Sequence, residues 1–305
     1  MKKIIQPPLV KNGWYHFAGG IFIVLNFVRH SVFGYRTPRT FSIDKDIHKS
    51  VEYDFSVVEG WVEGLAAFGK GPECIRDKVI LELGPGPDLG IGLILLAMGA
   101  RKYIAFDVNP LAQNAPQVFY DALFRRLEDK FKGCDIPSLR EQLSGAYAGR
   151  GDRLAYIVDG KFEISRIGEH PDLVFSQAAF EHFEDVEKTF AQLSGQVAGG
   201  CILSAEVDLA THTGWIKDRD PLNIYRYGDG FWRWFKFSGA PNRMRVFEYT
   251  GILEKNGWQN LIVEPLCVLE DNYLEQVKPA LSKRFRELGK EELKLLHVRL
   301  TGQKG

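Results

Sequence analysis

One stretch constrains the fold of this chain more than any other: Val79-Ile-Leu-Glu-Leu-Gly-Pro-Gly-Pro-Asp-Leu-Gly90, answered downstream by Tyr103-Ile-Ala-Phe-Asp-Val108. The apolar opening reads as a buried strand, an acid and a glycine-rich turn follow, and an apolar helix is predicted from about 91 to 98. A second short strand ends on Asp107. Strand, glycine turn, helix and strand in that order form the first βαβ unit of a nucleotide-binding α/β sheet.

The turn discriminates between nucleotides. A dinucleotide fingerprint, G-x-G-x-x-G, sets a pyrophosphate on the helix N-terminus. Here the glycines are Gly84, Gly86 and Gly90, position 89 is Leu, and the turn carries Glu82 and Asp88. Two carboxylates repel a pyrophosphate and attract a ligand with an amino group and a sulfonium. That is the charge pattern of S-adenosylmethionine, and it disfavours a nicotinamide oxidoreductase. Asp107 falls where a strand-end carboxylate accepts hydrogen bonds from both ribose hydroxyls.

At these residues the chain resembles a known superfamily. Glu82-Leu-Gly-Pro-Gly86 followed by Phe106-Asp-Val108 is similar to the first two motifs of class I S-adenosylmethionine-dependent methyltransferases. Asp172-Leu-Val-Phe-Ser-Gln-Ala-Ala-Phe-Glu-His-Phe-Glu-Asp185 resembles their fourth strand and the turn after it. Val197-Ala-Gly-Gly-Cys-Ile-Leu-Ser-Ala-Glu206 resembles their glycine pair and fifth strand. The resemblance covers roughly residues 75–265. It implies an α/β, Rossmann-like sheet, mostly parallel with an antiparallel last strand and helices on both faces, and S-adenosylmethionine as cofactor. It leaves the acceptor unnamed. The cofactor set it implies is Glu82, Gly84, Gly86, Asp88, Asp107 and Ser176, with Asp159 near the adenine. Asp159 also reads as the Asp of an Asp-Gly turn with Gly160.

Charge and cysteine usage narrow the setting. The chain has 305 residues and no formal net charge, so the whole-protein field gives no case for a nucleic-acid partner. Cys74, Cys134, Cys201 and Cys267 form no C-x-x-C pair, which speaks against a zinc cluster or disulfide framework and fits a reducing, cytoplasmic setting. Residues 1–43 form a separate basic apolar segment. It carries Lys2, Lys3, Lys11, Arg29, Arg36 and Arg39 and no acid before Asp44, around an apolar run from Trp14 to Val28. That composition suits peripheral contact with the inner face of a membrane, or a helix packed on the core or on a second subunit. The run reads as too short to span a bilayer.

The catalytic domain is assigned to 44–270 and a helical tail to 271–305. Val51, Phe55, Val58, Trp61, Val62 and Leu65 predict an amphipathic helix, which in methyltransferases of this type lies over the cofactor. Further helices are expected over about 113–131, 186–196 and 248–256, and strands over 154–159, 173–176 and 201–206. The segment 133–151 reads as an irregular insertion. The last hairpin is assigned to 245–247 and 261–269, and the tail from Pro279 to a basic amphipathic helix.

Methyl transfer to a hydroxyl needs alignment of donor and acceptor and a base for the proton. An open α/β sheet holds its ligands at the carboxyl ends of its strands. Two histidines map there: His182, after the fourth strand, and His212, after the fifth, with Asp208 four residues before it. We expect His212 as base with Asp208 orienting it, and His182 as the alternative base or a shaping residue. No metal is expected, although Glu181, His182, Asp208 and His212 include the donors with which magnesium or manganese would serve as a Lewis acid.

An insertion over about 207–245 interleaves aromatics with arginines and reads as an acceptor-binding lid or as a small subdomain core. Its D-P-L-N…R-Y…W…P-N-R-x-R string, with D-L-x-x-H upstream, resembles uncharacterised methyltransferases often placed in polysaccharide or glycolipid pathways. The expected function is therefore O-methylation of a sugar, glycolipid or other small-molecule hydroxyl. The rivals are an N-methyltransferase of a small molecule or protein, and an inactive cofactor-binding scaffold. A homo-oligomer is compatible with either.

Overall fold

The structure is a computed structural model that describes residues 2–8, 11–34 and 45–305. Arg36, Arg39 and Asp44, which entered the charge reading, lie outside the described residues. Eight strands form one sheet: β1 (Lys3–Ile5), β2 (Val79–Leu83), β3 (Lys102–Asp107), β4 (Leu154–Val158), β5 (Leu173–Gln177), β6 (Ile202–Asp208), β7 (Trp258–Leu269) and β8 (Leu295–Lys304). Their order is β1-β7-β8-β6-β5-β2-β3-β4. All neighbours pair parallel except β8, which runs antiparallel to β6 and β7. From β2 the chain steps outward to β3 and β4, then crosses back to β5. The β2/β5 boundary is thus the switch point at which such sheets open a crevice.

Twelve helices surround the sheet among the described residues: α1 (Asn12–Phe33), α2 (Ile47–Leu65), α3 (Gly90–Ala97), α4 (Gln117–Lys130), α5 (Ile136–Tyr147), α6 (Val186–Gln196), α7 (Gly214–Lys217), α8 (Asp229–Phe235), α9 (Val246–Lys255), α10 (Asp271–Val277), α11 (Lys283–Arg286) and α12 (Lys290–Lys294). β2 is buried on both faces, which explains its nearly unbroken apolar run. Ile80 joins the core under α2 to α5, whereas Val79, Leu81 and Leu83 join the core under α6 and α9. The spacing of Val51, Phe55, Val58, Trp61 and Leu65 buries one stripe of α2, and Trp61 stacks on Phe175 of β5 with ring centroids 4.6 Å apart.

Four expectations are corrected. Residues 136–147 are a helix, not an irregular insertion: Asp135 accepts from the Ser138 amide as an N-cap, and Leu139, Leu143 and Ala146 bury one face. Arg245 to Phe247 form no strand but lead into α9, and the hairpin is β7 with β8. The tail is not helical throughout. Apolar Leu296, Val298 and Leu300 alternate with His297, Arg299 and Thr301, the period of a strand, and this strand enters the sheet between β6 and β7. Finally, α1 continues through Arg29 and His30 for 22 residues and is long and apolar enough to cross a membrane.

The insertion holds α1 in place. Asp220 and Arg226, both fully buried, pair through two hydrogen bonds of 2.8 and 3.1 Å, and Asn223 and Tyr273 also donate to Asp220. From this centre Asn223 donates to the Tyr15 carbonyl, Tyr227 to the His16 carbonyl, and Arg226 to the Asn12 side chain. The D-P-L-N-x-x-R-Y string is thus a polar core that seats a helix. Replacing Asp220 by Ala leaves the Arg226 guanidinium buried without its counter-ion. Urea unfolding is expected to show a loss of about 3–5 kcal/mol.

Candidate active site

A cavity of about 1310 Å³ opens at the carboxyl ends of β2, β3, β5 and β6. The glycine turn after β2 forms one wall. Gly84 and Gly86 hold φ of 76° and 77°, a region that disfavours a side chain. The Gly84 amide donates to the Phe106 carbonyl at 2.9 Å. A Cβ on Gly84 would lie 2.6 Å from the Ala179 methyl, so the turn also needs glycine for space.

Glu82, Gly84, Gly86 and Asp107 all line the cavity. The buried Glu82 carboxylate accepts from the Tyr103 hydroxyl. Asp107, at the end of β3, accepts from the Asn109 amide at 2.9 Å. Burial raises its carboxyl to about 6, although the amides of Asn109, Gly86 and Val108 pull in the other direction. Tyr53 of α2 and Leu111 complete this end, so α2 does cover it.

Three further residues assigned to the cofactor are not among those lining the cavity. Asp88 accepts from the Gly90 amide at 2.9 Å and secures the start of α3. Ser176 is buried and donates to the Leu83 carbonyl at 2.8 Å, tying β5 to β2. Asp159 accepts from the amides of Lys161 and Glu163 and pairs with Arg166, as the Asp of an Asp-Gly turn does. The neighbouring Gln177, absent from the sequence reading, lines the cavity and donates to Glu206.

The opposite wall carries Glu181, His182, Asp208 and His212. Ala178, just after β5, holds φ of 48°, uncommon for a residue other than glycine, and starts the turn that presents Glu181 and His182. Asn242 fixes that turn from outside: its amide N–H donates to the Glu181 carbonyl, and its side chain to the Phe180 carbonyl. His182 Nδ1 lies 2.6 Å from the Gly239 carbonyl, which makes Nδ1 the donor and leaves Nε2 with a lone pair. The Nε2 atom is buried without a hydrogen-bond partner among the described residues. Burial first, and the nearby His212 second, lower the His182 pKa to about 4.

His212 sits with its ring centroid 4.9 Å from that of His182. Its Nε2 is 3.5 Å from Asp208 Oδ2, an ion-pair separation rather than a hydrogen bond. Asp208 is engaged more closely by the Lys217 ammonium at 2.7 Å and by the Ala210 amide at 2.9 Å. Burial works to raise its carboxyl, but His212 and Lys217 outweigh it and hold it well below the usual range. Glu181 is the reverse case. It is buried beside Asp208, and both factors push its carboxyl well above the ordinary value.

The buried arginines of the insertion, Arg226, Arg243 and Arg245, do not line this cavity. Arg243 donates to the Ile224 and Tyr227 carbonyls and lies over the Trp232 and Phe285 rings, and Arg245 donates to the Glu292 and Leu295 carbonyls. They belong to a subdomain core, so an acceptor-binding role for them is not supported. The insertion meets the cavity through Gly214, Lys217, Asp218, Ser238 and Gly239 instead.

No protein-family model matches the chain, and no curated protein matches it. Solved structures similar to it include S-adenosylmethionine-dependent and other methyltransferases. One, an S-adenosylmethionine-dependent methyltransferase from Mesorhizobium loti, is 15% identical and aligns over 81% of this chain and 100% of its own, with a TM-score of 0.43. An O-methyltransferase family protein from Burkholderia thailandensis is 11% identical over 95% of this chain and 71% of its own, with a TM-score of 0.42. Human N-acetylserotonin methyltransferase in complex with S-adenosylmethionine is 11% identical over 97% and 68%, with a TM-score of 0.40.

The two glycines of the turn separate strain from crowding. Gly86→Ala meets nothing within 4 Å and bears only the positive φ, so it is expected to cost about 1–2 kcal/mol. Gly84→Ala adds the collision with Ala179 and is expected to cost roughly 2–4 kcal/mol. Urea midpoints of the two variants against the parent give the comparison.

Proposed function

We propose that this protein is an S-adenosylmethionine-dependent methyltransferase acting on a hydroxyl of a small sugar-type or glycolipid-type molecule at an anionic membrane surface. The observation that carries the reading is one cavity with two chemically distinct walls. The Gly84/Gly86 turn, Glu82 and Asp107 stand on one side, and the Glu181, His182, Asp208 and His212 cluster on the other. The cofactor supplies an electrophilic methyl group on a sulfonium. Asp107 is placed to accept from the ribose hydroxyls and Glu82 to favour the positive end of the ligand. The protein's task is to align the acceptor oxygen, exclude water and receive the proton. Held by Glu82 and Asp107, the cofactor would supply that methyl group to an acceptor oxygen and would leave as the neutral thioether. We assign the proton to His212, because His182 is too weakly basic with its pKa lowered to about 4.

The membrane part of the reading rests on α1. Its inner face is fixed by the polar core, so the helix as seated lies along the protein rather than standing free of it. Its outer face shows Trp14 at 56% exposure, Phe17 at 63%, Ile21, Leu25, Val28 and Val32, and α8 adds Phe231 and Trp234 at 78%. Lys2, Lys3, Lys11 and Arg29 supply positive charge, and the sequence has no acid before Asp44. An apolar face with basic residues and no acids matches an anionic bilayer surface.

Calorimetry with S-adenosylhomocysteine tests the donor side, with NAD as the comparison ligand. Binding of the first and not the second is expected, and the reverse overturns the reading. Because only the ionised Asp107 accepts two hydroxyls, affinity should be flat above pH 6. It should fall by up to about tenfold per pH unit below it, as the carboxyl takes up its proton. Asp107→Ala is expected to lose roughly 2–3 kcal/mol of binding and that pH dependence with it. His212→Ala should abolish transfer to a hydroxyl acceptor, whereas near-normal turnover would point to a nitrogen acceptor.

Co-sedimentation with vesicles containing phosphatidylserine tests the surface. The parent should pellet at low salt and be released as salt screens the charges. Phe17→Ser combined with Leu25→Ser should stay in the supernatant with an unchanged melting temperature. A parent protein that never pellets overturns membrane contact. If the same pair instead dissolves a dimer, the face belongs to a second copy of the chain.

A further inference from the structure

We propose that Glu181, His182 and His212 form a binding site for one divalent transition-metal ion of the zinc or cobalt class. The three side chains bring one ligand atom each to within 4.8 Å of one another. Glu181 is 2% exposed, and its Oε1 accepts from the Asp208 amide while Oε2 is buried without a hydrogen-bond partner. His182 Nε2 is likewise buried and unpartnered, and so are both ring nitrogens of His212. Three buried ligand atoms thus lie within reach of one cation, and none has a hydrogen-bond partner among the described residues. Unsatisfied buried acceptors are costly, and converging ones repel. A cation removes both penalties at once.

The surroundings fit a ligand set. A histidine ligand commonly donates its other ring N–H to a carbonyl or carboxylate, which fixes the tautomer, and Gly239 does this for His182. Asp208 is committed to Lys217 and Ala210, so it stands outside the set as the partner of His212. Two imidazoles and one carboxylate suit zinc, cobalt or ferrous iron, whereas magnesium and calcium favour oxygen ligands. Three protein ligands leave coordination positions for another molecule, and all three residues line the cavity. Ligands about 2.1 Å from such an ion lie roughly 3.0–3.5 Å apart, so a pair at the 4.8 Å limit needs to close by about 1.3–1.8 Å.

The role in acceptor binding rests on the methyltransferase reading, while the ion site itself rests on geometry alone. With the ion in place, the ligating nitrogen of His212 is no longer a base; the cation instead acidifies a bound acceptor hydroxyl, whose proton passes to solvent water before the methyl group is transferred.

The full chain, stripped with a chelator and dialysed, is titrated with Co²⁺ by visible absorption and with Zn²⁺ by calorimetry, with Mg²⁺ as comparison. One Co²⁺ or Zn²⁺ per chain is expected, with Mg²⁺ at least about tenfold weaker. Glu181→Gln, His182→Ala and His212→Ala should each weaken binding by about tenfold or more, with circular dichroism unchanged. Extended X-ray absorption of the Zn²⁺ complex should show two imidazoles. Stoichiometric binding that survives in both histidine variants, or a parent that binds neither ion, overturns the site. S-adenosylhomocysteine binding is measured on the same preparation. If that binding fails while the ion binds, only the methyltransferase reading falls; if the ion alone fails, only this site does.

Discussion

The missing side chain at Gly84 is the constraint on which the site depends. Its backbone lies close against Ala179 after β5, and its amide holds the Phe106 carbonyl next to Asp107 on β3. Three strand ends therefore meet at a spacing set by one hydrogen atom where any other residue would place a carbon. That spacing decides how far Asp107 stands from the turn. It also sets how far from the turn Ala178 and Ala179 redirect the chain towards Glu181 and His182. Both walls of the cavity are thus referred to the same point.

The far side of the sheet depends on a different device. β8 lies between β6 and β7, joins β7 and β1 to the rest of the sheet, and carries Arg299 in its interior. Arg299 is in register with Glu206 on one side and Glu264 on the other, and it donates to both, at 3.2 and 2.8 Å. A slip of one residue would turn the guanidinium to the opposite face and leave both acids without it. Buried ion pairs are weak evidence for stability, but a pair on each side of one strand specifies register. In the same way Asp220 and Arg226 do not hold a ligand; they fix where α1 lies.

Elements whose period was carried within a few residues were legible in the sequence: β2, the α2 stripe and α6 fall where the apolar spacing puts them. β8 and α5 were not. β8 follows two short charged helices and contains three charged or titratable residues, His297, Arg299 and Lys304, so its alternation sets charge within a sheet where only the neighbouring strands explain it. The α5 signal was a cap, Asp135 with Ser138, inside a glycine-flanked stretch. The site divides similarly. Gly84, Gly86, Glu82 and Asp107 are close in sequence or at strand ends, and strand direction alone brings them to one wall. Asp88, Asp159 and Ser176 were placed correctly along the chain, but sequence does not show which backbone group takes a short polar side chain first. Lys217, Gly239 and Asn242 act across loops, through contacts that no local pattern records.

The two walls pose opposite electrostatic problems to the same ligand space. At the ends of β2 and β3, burial raises the Asp107 carboxyl to about 6, so it carries its charge at neutral pH and loses it as the pH falls through 6. At the ends of β5 and β6, Glu181, His182 and His212 each hold a buried polar atom without a hydrogen-bond partner among the described residues. Of the three lysines that line the cavity, Lys217 is paired with Asp208 and Lys188 with Glu163. A phosphate-bearing ligand would meet carboxylates on either side. The proposed sulfonium ligand, with its amino group and ribose hydroxyls, suits the first group of carboxylates, and the proposed cation suits the second.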